Sequence, residues 1–146
     1  MRIIAAIATD FAEAPLIARV RSARLASRLA LGIVWLYEGI VPKILFAGLH
    51  PEQTMLVAHS GIYWHSPEST LVVLGALQAI LGVILLVGWR ERLAALTASV
   101  WMLILIVLVA SGRPELLTDP FGALVKDTCL LACAFVVWLF GGNKWE

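Results

Sequence analysis

Apolar residues in this chain gather into four long runs, separated by short polar or aromatic punctuation. The runs cover 26–46, 69–88, 93–110 and 121–140. Each is near the ~20 residues that a helix needs to cross ~30 Å of hydrocarbon at ~1.5 Å per residue. The pattern therefore predicts an all-α integral membrane four-helix bundle (domain 26–140). It is preceded by an N-terminal cytoplasmic or interfacial segment (1–25) and followed by a cytoplasmic tail (141–146). The second and third runs carry no charge.

Segment 1–25 has only loose helical spacing of Ile3, Ile7, Phe11 and Ile17, interrupted by Pro15. It reads as an amphipathic helix on the cytoplasmic surface, with a disordered tail as the alternative. Its first apolar stretch, Ile3–Ala8, is shorter than a signal h-region of ~7–15 residues and is followed by Asp10 and Glu13, so the N-terminus is expected to be retained. The long connection 47–68 suggests structure of its own, with a short helix over Glu52–His59 broken by Ser60 and Gly61.

Basic residues give direction. Arg2, Arg19, Arg21, Arg24, Arg28, Arg90, Arg92 and Lys144 fall on one side of the runs, and only Arg113 falls on the other. By the positive-inside rule both termini are cytoplasmic, in a multi-pass protein of the bacterial cytoplasmic (inner) membrane. Trp64, Trp89 and Trp145 fall near the expected interfaces. Composition agrees: of 146 residues, 61% are hydrophobic and 14% charged, against about half and about a quarter in a typical soluble domain. A net charge of +1 without a basic patch beyond the helix flanks excludes a nucleic-acid partner and leaves the lipid bilayer as the first one.

Four charges break the apolar pattern: Glu38 and Lys43 in the first run, Lys126 and Asp127 in the fourth. An ionised side chain costs at least ~2.5–3.5 kcal/mol at the bilayer centre, so such groups face partners or a wet cavity. The four sum to zero, which points to mutual neutralisation, with Glu38–Lys126 as the first pairing and Lys43–Asp127 as the second. Lys43 is shallow enough to snorkel outward. Pro42 has no N–H for the Glu38 carbonyl, so a kink and a freed acceptor are expected there. A purely structural salt bridge accounts for this segment equally well.

On the second run Gly75, Gln78, Ala79 and Gly82 share one face, which suits close helix packing, and Gln78 is placed deeper than the charges. Thr97 and Trp101 of the third run are candidates for the same interior. Cys129 and Cys133 read as small packing residues. His50, His59 and His65 all lie in the connection 47–68, so the runs supply no histidine axial ligand for a haem, and no metal site is expected.

Two stretches carry a family resemblance: Trp35-Leu36-Tyr37-Glu38-Gly39-Ile40-Val41-Pro42-Lys43, and Asp119-Pro120-Phe121-Gly122-Ala123-Leu124-Val125-Lys126-Asp127. They resemble the DoxX-like family of small four-helix bacterial membrane proteins, over roughly residues 25–140. The resemblance implies a bundle in the cytoplasmic membrane, some relatives being linked to quinone-coupled sulfur oxidation or membrane redox complexes. No oxidoreductase active site is matched residue by residue.

The functional expectation is a membrane subunit linked to redox chemistry that binds a quinone-like or other amphipathic molecule. Tyr37, Glu38, Lys43, Gln78 and Lys126 would form its polar lining beside Asp127, with Trp35 and Trp101 as aromatic walls. Redox partner proteins and a homo-oligomer are the further partners considered. A self-sufficient enzyme is not expected. The alternatives are a structural or assembly subunit and a small transporter or channel, although no inverted repeat supports the last.

Overall fold

The computed structural model describes residues 16–49, 51–112 and 123–142. The expectations for 1–15, His50, Arg113, Phe121, Gly122, Lys144 and Trp145 lie outside these. The described residues form five α-helices and no strand: α1 (Leu16–Ile40), α2 (Pro51–Ser60), α3 (Pro67–Val87), α4 (Glu91–Gly112) and α5 (Ala123–Phe140). Among them α1 with its continuation to Leu45, α3 and α4 are long and apolar enough to cross a membrane. Within the described residues α1 runs unbroken from Leu16 to Ile40 and carries Arg19, Arg21, Arg24 and Arg28.

Local chemistry sets the helix ends. Ser66 caps α3 by accepting from the Ser69 N–H at 3.1 Å, and Pro67 occupies a first-turn position where no N–H is needed. At its other end Gly88 takes a left-handed φ of 81°, and the Trp89 N–H returns to the Ile84 carbonyl at 3.2 Å. Helix α1 does not stop at Pro42. It widens into a π turn over Val41–Leu45, closed by the Phe46 N–H on the Val41 carbonyl at 3.0 Å. A π turn loosens the backbone by one residue, which is how the chain absorbs the missing proline donor.

Packing follows small residues. Helices α1 and α3 run antiparallel, and Gly39 meets Gly75 while Gly32 meets Gly82. A Cβ on Gly39 would lie 2.5 Å from the Gly75 carbonyl oxygen, and one on Gly75 would lie 2.6 Å from the Gly39 oxygen. Only hydrogen fits there, so the two backbones touch directly. Around this seam the core is Leu31, Trp35, Leu81, Leu85, Ala94, Ala95, Ala98, Met102, Leu130, Ala134 and Val137. Trp35 and Trp101 stack edge to face with centroids 5.9 Å apart. Opposite faces carry exposed large apolar side chains, including Ile33, Leu77, Ile80, Val83, Leu103, Ile104, Val107 and Phe135. So much outward apolar surface suits lipid contact and not water.

Candidate functional site

The polar centre starts from the register of α1 on α3. Because Gly39 and Gly75 touch, Lys43 begins just beyond the contact, and its Cβ lies against Gly75. The stem then turns back along α3. Its Nζ donates to Gln78 Oε1 at 2.6 Å and to the Glu38 main-chain carbonyl at 3.2 Å. The Glu38 carboxylate oxygen Oε2 stands 4.0 Å from the same ammonium. The carbonyl that an N–H at position 42 would ordinarily bond is thus satisfied by the next side chain along.

From α5, Lys126 Nζ donates to Glu38 Oε1 at 2.6 Å, a charge-assisted bond across the bundle. Glu38 therefore stands between two lysines from different sides. Asp127, one residue on, is buried and lies within the electrostatic reach of Lys126, Glu38 and Lys43. The polar groups form one connected network, with an outlet: the Lys126 side chain is 42% exposed, while that of Lys43 is 11% exposed.

Several expectations change against this geometry. Lys43 does not snorkel outward; the acceptors Gln78 Oε1 and the Glu38 carbonyl draw it inward. Gln78 lies about one helical turn beyond Gly75 along α3, and the Lys43 stem folds back to reach it, which joins Gln78 to the charged group. Tyr37 is 58% exposed. Trp35 is fully packed in the core, and Trp101 meets it there, so their rings fill the interior against each other. Thr97 is exposed and its hydroxyl returns to the Leu93 carbonyl at 2.9 Å, the usual resort of a hydroxyl with no partner across a helix interface. Cys129 and Cys133 are free thiols, the first exposed. Among the described residues no His, Cys, Asp and Glu group is arranged to hold a metal.

A family model described as the DoxX-like family matches residues 32–135. The chain belongs to the DoxX-like family. No curated protein and no solved structure gives a significant match. With its apolar helices, this DoxX-like protein is membrane-embedded. The matched segment contains the whole Glu38–Lys43–Gln78–Lys126 network and stops short of Arg24 and Arg28.

Those two arginines belong to a second ionic group that the sequence reading passed over. Further towards the start of α1 in this DoxX-like chain, Glu91 pairs with Arg28 and lies 3.7 Å from Arg24 Nε. Arg24 Nη1 also donates to the Phe140 carbonyl at the end of α5, at 3.4 Å. The signal was present: Arg24 and Arg28 are four apart and share a helix face, and Glu91 is an acid flanked by Arg90 and Arg92.

Proposed function

We propose that the chain is a four-helix transmembrane subunit of the bacterial cytoplasmic membrane, with both termini cytoplasmic and residues 26–140 as its membrane domain. It takes part in redox chemistry by holding a quinone-like amphipathic molecule at the Glu38–Lys126 pair. The observation that carries this reading is the half-exposed Lys126 ammonium, fixed by Glu38 at 2.6 Å and turned towards the bundle surface. A quinone dissolves in hydrocarbon and presents carbonyl acceptors. Lys126 is a donor that such a molecule can reach laterally, without passing through water. Glu38 holds the donor in place, and Lys43 with Gln78 fixes Glu38 in turn.

The test is thermal unfolding of the purified full-length protein with a short-chain quinone titrated in. The melting temperature is expected to rise with quinone concentration, by mass action on the native state. The rise should disappear in Lys126→Met and in Glu38→Gln. No rise in the native chain would overturn the ligand reading.

One observation favours a second reading, a structural or assembly subunit. Lys43 takes its hydrogen bonds from α1 and α3 of its own chain, as a staple between helices would. Under that reading a membrane or soluble redox partner co-purifies, and quinone leaves stability unchanged.

A further inference from the structure

The connection between α1 and α3 turns much apolar surface outward. Leu45, Leu49 and Met55 are exposed, Ile62 is 81% exposed and Trp64 is 80% exposed. The backbone beneath these last two side chains is held at both ends. Ser60 Oγ donates to the Val57 carbonyl at 2.7 Å and accepts from the Ile62 N–H at 3.2 Å. Thr70 Oγ1 accepts from the Trp64 N–H at 2.8 Å, and the Trp64 carbonyl accepts from the Ser66 N–H at 2.8 Å. His65 completes the turn at φ 69°, in the left-handed region that a histidine rarely adopts. A turn fixed by hydroxyl clamps thus presents isoleucine and tryptophan side chains that no described residue covers.

We propose that the Ile62–Trp64 turn, with Leu45 and Leu49, is an anchor that lies in the headgroup–hydrocarbon boundary of the bilayer. Continuity selects lipid over a protein partner or a second copy: Leu45 ends the helical stretch from Leu16 that is long and apolar enough to cross a membrane. Chemistry agrees. Segment 47–68 contains no Lys or Arg to mark an electrostatic docking face, and Tyr63 and Trp64 are the residue types whose amphipathic rings settle at that boundary. The anchor holds the end of α1 at a fixed depth, and with it Lys43 two residues before Leu45.

The experiment places a nitroxide at Ile62→Cys, and separately at Trp64→Cys, in the full-length chain carrying Cys129→Ser and Cys133→Ser. Each protein is reconstituted into phosphatidylcholine–phosphatidylglycerol vesicles. Collision with dissolved oxygen, which concentrates in the bilayer, is compared with collision by a water-soluble nickel chelate. Oxygen is expected to relax both labels several-fold more than the chelate does. Chelate-dominated relaxation would mean a loop in water, and protection from both reagents would mean a protein-covered surface; either overturns the proposal. Using two sites keeps the test valid if one variant reconstitutes poorly.

Discussion

Lys43 donates through its ammonium to the main-chain carbonyl of Glu38, the oxygen left without its usual donor by Pro42. The proline, the π turn and the lysine are therefore one device. The proline opens the ladder, the widened turn lets the helix continue, and the lysine closes the gap while reaching across to Gln78.

Removing the lysine should therefore do more than remove a charge. Lys43→Met leaves the Glu38 carbonyl, Gln78 Oε1 and part of the Glu38 carboxylate facing apolar surroundings. Breaking a buried charged network in this way typically costs ~3–5 kcal/mol. Gln78→Leu alone should cost about 1–2 kcal/mol, the range of membrane hydrogen bonds. Unfolding in mixed detergent micelles should show the two losses to be non-additive, the double variant being less destabilised than their sum. Strict additivity would mean that the 2.6 Å contact contributes nothing.

The Glu38–Lys126 pair is the more exposed of the two contacts and should couple less strongly. Glu38→Gln leaves both lysines without their carboxylate, and Lys126→Met leaves Glu38 with only the longer 4.0 Å approach of Lys43, whereas the double variant leaves Lys43 beside a neutral amide with its Gln78 bond intact. We expect a coupling energy of about 1–2 kcal/mol from a double-mutant cycle, with Lys126→Met alone less stable than the double variant. A single variant as stable as the native chain would remove this pair from any account of the fold.

Further towards the start of α1, Glu91 serves two arginines at once. Glu91→Ala leaves Arg24 and Arg28 facing each other with one acceptor fewer, while Arg24→Met leaves the Arg28–Glu91 contact intact. The first should cost about 2–4 kcal/mol and the second about 1 kcal/mol or less. Detergent-phase melting curves of the two variants, compared at one ionic strength, give the ranking; a reversed order would contradict the shared role of Glu91.

How far these relationships could be read from sequence depends on whether they are local. The three long apolar helices α1, α3 and α4 follow from apolar runs, because hydrocarbon thickness fixes helix length, and Pro42 announces a freed carbonyl four residues back. The Glu38–Lys126 contact could be anticipated from matched depths in two helices. The partner of Lys43 could not, since it depends on the register of α1 against α3, which two glycine contacts fix to the residue. A long flexible side chain can serve either direction along a helix, so depth alone misassigned Lys43.

That glycine register yields the sharpest contrast among substitutions. At Gly39 an added methyl meets the Gly75 carbonyl oxygen at 2.5 Å and the Ala79 amide nitrogen at 2.7 Å, both main-chain atoms of a facing helix that cannot swing aside. At Gly32 the nearest atoms are the Leu86 side chain at 2.8 and 2.9 Å, which can change rotamer, although the Gly82 oxygen at 3.1 Å limits the relief. At Gly48 nothing lies within 4 Å. Overpacking costs ~1–3 kcal/mol and more where backbone must move, so stability should fall in the order Gly48→Ala, Gly32→Ala, Gly39→Ala, with the first near native. Gly39→Ala should also separate α1 from α3 enough to pull Lys43 off Gln78, so that adding Gln78→Leu to it costs little more. If instead Gly39→Ala melts like the native protein, the direct backbone contact, and the lysine geometry that depends on it, does not exist in the folded chain.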